Sequence, residues 1–369
     1  TTSSVITFDP SSNYFDAQVL EESNKGSSGA RESGENDFQI LESSASVSIQ
    51  FTDSDGEGNI VVYGWYTGDF SLGEYVFVTV DDYDTRMFVA KFSPTLELIW
   101  AKQYHPTGQS HIADLAVSDI GDIYVSGHFL GEEILLDGVI YSGNASSYSK
   151  FIMKLTPNGD VDWVDLNPGW GTLHISIGSD SILNVYGSIN VGSAGNLTLG
   201  EYILEPPFDS FFGVTFIGKI SSTGTWITAQ DIQFHDPPSF GFGIDHHIRL
   251  PDSVIFFGKT DANFSLGGNE FVCNLVFCAF TLKWSNDGVL SIIEFESIDQ
   301  NRSFYVNSGL QMSDGNLLLG GKMGMEFEWY SEYSNEYYTS IHYDCIAYGI
   351  FSLDGELIDS LRCDNLDEA

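Results

Sequence analysis

The chain has 369 residues and a formal net charge of -38, from 52 acidic and only 14 basic residues, with a sequence pI near 4.1. A surface of this charge repels nucleic acids and anionic lipids, which excludes both as expected partners. Hydrophobic residues make up 42% and aromatic residues 14%, which excludes intrinsic disorder and, with many β-branched residues, favours strands. No apolar run is long enough to predict a membrane span.

Residues 1–44 precede any regular pattern. They contain two strand-like pieces, residues 5–9 and 38–41, separated by the polar stretch of residues 23–34. Three interpretations stay open: an incomplete copy of the unit described next, a strand that closes the array of units, or an arm that contacts a neighbouring molecule. The first two are favoured over the arm. The opening residues Thr1-Thr2-Ser3-Ser4 are typical of a mature chain after removal of a signal peptide, although any other chain boundary would look the same.

A unit of about 60 to 70 residues then recurs five times. Its first strand is an apolar alternation that ends at Asp, its second ends at Gly, and its third has the pattern aromatic-x-x-Lys in four of the units. The Asp residues are Asp53, Asp119, Asp180, Asp252 and Asp314, the Gly residues are Gly64, Gly127, Gly187, Gly258 and Gly320, and the Lys residues are Lys91, Lys154, Lys219 and Lys283. Such a period indicates one supersecondary structure repeated along the chain.

The turns complete the unit. Asn158-Gly159, Asp287-Gly288 and Asp354-Gly355 separate the third strand from a fourth, and such dipeptides suit the positive φ of tight hairpin turns. Four-stranded meanders repeated in this way predict an all-β fold, a β-propeller of four-stranded blades. We expect a propeller domain over residues 45–369 with five clear blades, and residues 1–44 as a sixth, partial blade, a closing strand or an interaction arm.

One turn resembles an oxygen-rich cation loop. Asp53, Asp55, Glu57 and Asn59 lie at alternate positions, and hard cations such as calcium need several oxygen ligands. The other units have shorter Asp-Gly turns at this point, which favours an ordinary hairpin turn. These four residues therefore form a weak calcium candidate, and calcium is the only cofactor left open; otherwise none is expected.

Lysines and histidines give two further candidates. The repeated lysines occupy one strand position, which predicts a structural role, in an ion pair or over aromatic neighbours, rather than anion binding. His235, Asp236, Asp245, His246 and His247 include enough ligand types for a transition metal, but adjacent His residues in a strand point to opposite faces. Metal binding there is disfavoured.

The four cysteines are predicted to form two disulfides. Cys345 and Cys363 flank the Asp354-Gly355 turn almost symmetrically and should face each other across two antiparallel strands, while Cys273 and Cys278 would close a small loop. Disulfides are typical of an oxidising compartment. The alternative is four buried free thiols, and a zinc site is disfavoured because neither pair has Cys-x-x-Cys spacing.

Aromatic residues crowd the fifth unit, mixed with glutamates. Tyrosine and tryptophan beside carboxylates suit sugar stacking or a protein interface, against the alternative of packing on an outer strand. The ligand-binding or interface candidates are Trp329, Tyr330, Tyr333, Tyr337 and Tyr338.

The repeats resemble the SBBP-type β-propeller repeat of secreted and surface proteins of bacteria. The matching segments are residues 116–127 and 154–159, with a second element at residues 70–75 that is echoed at 197–202 and 264–267. The resemblance covers about residues 45–361 and implies a propeller in an extracellular setting. It implies no catalytic residues. The fifth unit departs from it, with Ile350 at the Lys position.

The sequence alone therefore predicts a non-enzymatic, secreted or cell-surface structural and interaction protein, such as a filament or matrix subunit. Its expected partners are further copies of itself or surface proteins, and glycans are kept as a further partner class, with no nucleic acid and no membrane insertion. The alternative is a glycan-binding, lectin-like propeller, followed by a polysaccharide-active enzyme. No carboxylate pair is singled out for catalysis, so no catalytic residue is assigned.

Overall fold

The protein is described here from a computed structural model. The described residues are 4–8, 15–19, 38–43, 46–78, 86–106, 110–143, 148–178, 181–190, 195–206, 213–236, 242–273, 278–293, 303–331 and 336–365. Within these ranges the regular elements are all β-strands, and none is a helix that could cross a membrane. The chain divides into two compact units, Thr1–Ile175 and Ser176–Ala369.

The first unit contains an N-terminal group of strands and two blades. The N-terminal strands are β1 (Ser4–Phe8), β2 (Phe15–Val19) and β3 (Phe38–Ser43). Blade 1 consists of β4 (Ser46–Ser54), β5 (Ile60–Thr67), the short pair β6 (Phe70–Leu72) and β7 (Tyr75–Phe77), β8 (Arg86–Phe92) and β9 (Leu98–Pro106). Blade 2 consists of β10 (Ser110–Val117), β11 (Ile123–Leu130), the short pair β12 (Glu133–Leu136) and β13 (Val139–Ser142), β14 (Tyr148–Leu155) and β15 (Val161–Pro168).

The second unit contains the remaining blades; the first strand of blade 3 begins just before its boundary. Blade 3 consists of β16 (Trp170–Ile177), β17 (Leu183–Asn190), β18 (Leu197–Leu199), β19 (Tyr202–Leu204), β20 (Val214–Ile220) and β21 (Trp226–Asp231), followed by β22 (Gln233–Phe234). Blade 4 consists of β23 (Phe242–Arg249), β24 (Ser253–Thr260), β25 (Phe264–Leu266), β26 (Asn269–Phe271), β27 (Cys278–Ser285) and β28 (Leu290–Ile292). Blade 5 consists of β29 (Ser303–Gln311), β30 (Leu317–Ser331), β31 (Glu336–Phe351) and β32 (Leu357–Asn365).

The predicted fold class is confirmed. In each blade four strands pair as an antiparallel meander in chain order, the building block of β-propellers; all of them are long except β28, which has three residues. The predicted turns are present as well, since Gly159, Gly288 and Gly355 have φ of 80°, 91° and 90°. A side chain with a Cβ is strained at such φ values, which is why glycine occupies these turns.

The recurrent glycine lies inside the second strand of its blade, not at its end as the repeat pattern predicted, and it has a packing reason. A Cβ on Gly127 would lie 2.6 Å from the carbonyl O of His111 and 2.7 Å from the Phe151 ring. An aromatic ring blocks a Cβ on Gly64 and on Gly258 in the same way. In blades 1, 2 and 4 the recurrent Gly and the recurrent aromatic residue therefore form one contact, repeated because the blade geometry is repeated.

The short pair of strands between the second and third long strands is called here the latch hairpin. In blades 1, 2 and 4 it pairs with a strand outside its own blade, whereas β18 and β19 of blade 3 form a two-stranded sheet of their own. The latch hairpin of blade 2 pairs β12 with β9 of blade 1, and that of blade 4 pairs β25 with β22, which follows the last strand of blade 3. In blade 1, β6 pairs with β3 of the N-terminal strands, in a sheet of order β2-β1-β3-β6-β7. Residues 1–44 thus contribute strands to a sheet, and their role as partial blade, closing strand or arm stays a prediction.

The cysteine predictions have different outcomes. Cys273 and Cys278 form the predicted disulfide, with their Cα atoms 5.6 Å apart. For the second pair, the backbone register puts Cys345 opposite Asn365 and Cys363 opposite Ala347, so the expected direct opposition is wrong. Two irregularities near Ile350 shift the register by two residues from the symmetric count about the turn. The side chains of this second pair lie outside the described residues, and its disulfide stays a prediction.

Candidate functional site

The calcium candidate is an internally bonded turn. Asp55 Oδ1 accepts hydrogen bonds from the backbone N–H groups of Glu57 (3.0 Å) and Asn59 (2.9 Å), and its Oδ2 lies 2.8 Å from Asn59 Nδ2 and 2.9 Å from Lys91 Nζ. Burial raises the pKa of Asp55, but the hydrogen bonds from Asn59 and Lys91 outweigh it and hold this pKa below its usual value. Asp53 Oδ2 accepts the N–H of Val117 at 2.6 Å. These contacts favour the hairpin-turn interpretation.

Three of the four repeated lysines, Lys91, Lys154 and Lys219, make contacts that match the predicted structural role. Lys154 Nζ lies 2.9 Å from Asp122 Oδ2 and 3.0 Å from Asp162 Oδ2, an arrangement that matches the Lys91–Asp55 pair of blade 1. Lys219 Nζ instead donates to the carbonyl oxygens of Ser285 (2.8 Å) and Asn286 (3.3 Å) in the next blade, and lies 4.6 Å from the centre of the Trp284 ring.

The histidine cluster is spread over separate contacts. His247 Nδ1 lies 3.3 Å from the Tyr186 hydroxyl, and His235 Nε2 lies 3.1 Å from Glu270 Oε2. The side chain of Asp245 lies outside the described residues. Within the part of the chain that the structure describes, no three His, Cys, Asp or Glu side chains are grouped so as to hold a metal ion.

The aromatic candidates of blade 5 lie at the end of one long hairpin. Backbone pairing of β30 with β31 is continuous to this end and puts Trp329 opposite Tyr338 and Tyr330 opposite Tyr337. Tyr333 and the side chains of the other four lie outside the described residues. Their role in binding stays a prediction.

A different group of polar residues meets in blade 2. His111, His128, Lys150 and Asn167 lie directly opposite one another in β10, β11, β14 and β15, in a single row across all four strands. We call this set the blade-2 polar row. Residues opposite one another in neighbouring strands project to the same face of a sheet, so the four polar side chains are neighbours.

The two histidines of the row form a stacked pair. Their ring centres are 4.8 Å apart with an angle of 26° between the planes, and the Tyr148 ring meets His128 edge to face at 5.1 Å. Burial, together with the nearby charges of Lys150 and His111, lowers the pKa of His128 to about 4. His128 is consequently neutral at neutral pH and has one N–H to donate.

Lys150 is the most unusual member of the row. It is only 1% exposed, and its Nζ donates a hydrogen bond to the carbonyl oxygen of Gly171 in β16. No carboxylate lies within ion-pair distance of it among the described residues. Burial lowers the pKa of Lys150 to about 8. A buried ammonium without a counter-ion is costly, and such groups are enriched at functional sites.

The fold does not require this row. The corresponding positions in blade 1 are Ser48, Trp65, Met87 and Tyr104, which are mostly apolar. Neither His111 nor Lys150 was predicted from the sequence, because neither belongs to the repeated pattern. The available signal was Lys150 itself, a second lysine four residues before the repeated Lys154 in a chain with few basic residues.

Comparisons with known proteins give a weak likeness to solved structures. The sequence matches no protein-family model and no curated protein. An ACO/RPE65 chimera aligns with 83% of this chain at 12% identity and a TM-score of 0.39, over 59% of its own length. Two mutants of Synechocystis apocarotenoid oxygenase align with 86% and 85% of this chain at 10% and 7% identity, TM-scores 0.37 and 0.30, over 65% and 88% of their lengths. The chain thus spans less than two thirds of the first two structures.

These comparisons correct two predictions. The sequence predicted a non-enzymatic structural protein without a resident cofactor, whereas the solved structures are those of oxygenases by name. Neither the non-enzymatic assignment nor the absence of a cofactor is retained. A likeness at this level transfers no activity to the chain, so its function is argued below from its own residues. The resemblance to SBBP-type repeats stays a prediction.

Proposed function

We propose that the blade-2 polar row binds a small anionic ligand through a carboxylate or phosphate group. Lys150 would supply the positive charge, and His111 and His128 would supply N–H donors. The observation that carries the proposal is the buried ammonium of Lys150 without a carboxylate partner among the described residues. An anion placed beside this ammonium would remove the cost of its unpaired charge.

The access to the row is graded. His111 is exposed, His128 is partly buried and Lys150 is buried, so the row runs from solvent towards the interior of the sheet face. An anion would first meet the histidines and then the ammonium. Because the whole chain carries a charge of -38, long-range electrostatic repulsion opposes the approach of an anion. The affinity for an anion must therefore come from these local donors.

The proposal is tested by calorimetric titration with inorganic phosphate and with acetate. We expect the natural chain to bind one equivalent of at least one of these probes, and Lys150→Met to weaken binding about tenfold or more, or about 1.4 kcal/mol. Lys102→Gln, which removes a partly exposed lysine of blade 1, is the matched control and should bind as the natural chain does. Equal affinity of Lys150→Met, or no binding of either probe at about 10 mM, would overturn the proposal.

A second candidate function is supported by the lowered pKa of Lys150. With a pKa of about 8, roughly a tenth of this amine is uncharged at pH 7, and an uncharged amine is a nucleophile towards carbonyl groups. The Nζ lone pair would add to the carbonyl carbon, and loss of one water from the carbinolamine would give an imine. The proton that leaves Nζ passes to the carbinolamine oxygen, which departs as that water.

This second function has its own test. In this test pyruvate supplies the carbonyl group, and cyanoborohydride reduces the resulting imine to a stable secondary amine. Peptide mass spectrometry then identifies the labelled lysine. We expect preferential labelling of Lys150 over Lys154, which is paired with two aspartates in the same strand. Equal labelling of the two lysines would contradict amine chemistry at the row, while leaving anion binding to be decided by the titration.

The setting is also a proposal. We infer that the protein works in an oxidising compartment such as the cell exterior, supported by the Cys273–Cys278 disulfide, because such bonds rarely persist in the cytosol. Mass spectrometry of the protein isolated from its source with free thiols blocked at once would check this. Blocked rather than bonded Cys273 and Cys278 would contradict it.

A further inference from the structure

A polar cleft lies in the second unit where the latch hairpin of blade 4 meets the end of blade 3. Its volume is about 390 Å³, within the size range of small-molecule sites. The lining residues come from β21, β22, β25, β26 and the turn of the hairpin: Ala229, Gln230, Asp231, Gln233, Ser265, Leu266, Gly267, Gly268 and Glu270. None of these is a lysine or an arginine. This cleft is separate from the blade-2 polar row, and the inference does not depend on the function proposed there.

The first unit contains the equivalent junction, between blade 1 and the latch hairpin of blade 2. Strand register establishes the correspondence. Lys102 lies opposite Val89 of β8, which is two residues before the repeated lysine of blade 1. In the same way Gln230 lies opposite Ile217 of β20, which is two residues before the repeated lysine of blade 3. The latch strands align in the same way, because Pro106 pairs with Ile134 and Phe234 pairs with Phe264. Counting from Ile134 and Phe264 gives the correspondence of Asp137 with Gly267, and the equivalent turns at Gly159 and Gly288 align Asp160 with Val289.

The first junction is filled by an ammonium group. Lys102 Nζ lies 2.7 Å from Asp160 Oδ1 and 3.6 Å from Asp137 Oδ1. Asp137 Oδ2 also accepts the N–H of Val161 at 2.6 Å, which fixes the hairpin turn against the next turn. The stem and charge of one lysine thus fasten the latch hairpin to the neighbouring strands.

In the second junction all three members of this arrangement are replaced by uncharged residues. Gln230 is shorter than lysine, Gly267 has no side chain, and Val289 cannot accept a hydrogen bond through its side chain. The latch hairpin is instead held by Asn269, whose Nδ2 donates to the carbonyl oxygen of Leu290 at 2.9 Å. Gln230 fills part of the corresponding space, since its Oε1 lies 3.7 Å from the position of a Cβ on Gly267, and the cleft lies beside it.

The lining of the cleft is suited to a positive group. Asp231 and Glu270 carry carboxylates on it, and Gln230 and Gln233 add amide oxygens that accept hydrogen bonds. Outside the lining, His235 Nε2 lies 3.1 Å from Glu270 Oε2, and the His235 side chain is 47% exposed. The overall charge of -38 raises the local concentration of cations near such a surface.

We propose that this cleft binds a protonated primary amine carried on a short aliphatic stem, a group that occupies the place of the Lys102 side chain. The ammonium would contact the carboxylates of Asp231 and Glu270, and the stem would lie along Leu266 and Ala229. Such an amine is found both in free diamines and in the lysine side chain of a partner protein. The shared chemistry is proposed here, and the test separates the two sources.

The test is a pair of reciprocal substitutions, with 1,5-diaminopentane and Nα-acetyl-lysine amide as probes in a calorimetric titration. Gln230→Lys introduces into the cleft the lysine that the first junction already has, so we expect it to weaken amine binding about tenfold or more without lowering the melting temperature. Asp231→Asn should weaken binding similarly while keeping the cleft open. Lys102→Gln should leave binding at the cleft unchanged.

The outcomes are distinct. Binding of the diamine alone would assign the site to a free amine, and tighter binding of the acetylated lysine would assign it to a partner's side chain. Equal binding of 1-pentanol, unchanged affinity in Gln230→Lys, or no binding of either amine at about 10 mM would each overturn the proposal. A phosphate titration of the same samples reports on Lys150 separately, so failure at one site is distinguishable from failure at the other.

Discussion

Two lysines of strand β14 show how the same residue type takes opposite roles four positions apart. Lys154 belongs to the repeated pattern, is 8% exposed and has two aspartates within 3.0 Å. Lys150 is 1% exposed, lies outside the pattern and has a backbone carbonyl as its hydrogen-bond acceptor. Burial lowers the pKa of both, but the aspartates reverse the effect at Lys154, whose pKa is raised, while that of Lys150 falls to about 8. Pairing, more than burial, separates a structural lysine from a candidate functional one.

The largest expected effect on the free energy of unfolding comes from replacing Lys154 and Lys150, one at a time, with an uncharged residue. Lys154→Met leaves Asp122 and Asp162 without their cation, and we expect it to lower the free energy of unfolding by about 2–4 kcal/mol. Lys150→Met removes an unpaired buried charge, which raises the free energy of unfolding, and one hydrogen bond, which lowers it. We therefore expect a net change below about 1 kcal/mol. Urea unfolding of both variants measures this. Equal destabilisation would mean that Lys150 is as structural as Lys154.

The pH dependence of stability sharpens the same contrast. The pKa of Lys150 is about 8 in the folded chain and near 10.4 when unfolded, so between these values the unfolded chain binds more protons and stability rises with pH. From pH 7.5 to 9.5 this single group should add about 2 kcal/mol. Unfolding across that range should show the rise in the natural chain and not in Lys150→Met. A rise that persists in the variant would contradict the burial of an unpaired amine.

His128 should show itself at the acid end. Its pKa falls from an ordinary 6.5 to about 4 in the folded chain. Between these two values the unfolded chain therefore binds a proton at this ring and the folded chain does not. Stability attributable to His128 is therefore present above pH 6.5 and is lost as the pH falls towards 4. Because the ring is partly solvent-screened, we expect a loss of about 1 kcal/mol between pH 7 and 5. His128→Gln should remove this part of the acid sensitivity; an unchanged acid limb would place His128 in a better solvated position.

The fold was predictable because its determinants are local and repeated. The Asp354-Gly355 turn and the alternating strands predicted blades from short segments, and five copies reinforced one another. The blade-2 polar row was not predictable in this way. His111 and Lys150 are 39 residues apart, and only the pairing of β10, β11 and β14 brings them to one row.

Register explains the cysteine error as well. A symmetric count from the Asp354-Gly355 turn puts Cys345 opposite Cys363, but the irregularities on either side of Ile350 displace the pairing by two residues. A β-bulge adds a residue to one strand without a sequence signal that hydrophobic alternation would reveal. Sequence periodicity consequently predicts the strands but not which side chains lie opposite one another in neighbouring strands. Sites that are built across several strands are hard to predict for the same reason.

The smallest expected effect concerns a third lysine, which isolates burial from pairing. Lys102 is paired with two aspartates, as Lys154 is, but its side chain is 27% exposed and that of Asp160 is 68% exposed. Water and salt screen such a pair, so Lys102→Gln should lower the free energy of unfolding by less than about 1 kcal/mol, and less still in high salt. Urea unfolding at low and high ionic strength provides the check. A loss as large as that of Lys154→Met would show that pairing alone sets the contribution of a lysine to the free energy of unfolding. Lys150 would then be exceptional because it lacks a carboxylate partner among the described residues, and not because it is buried.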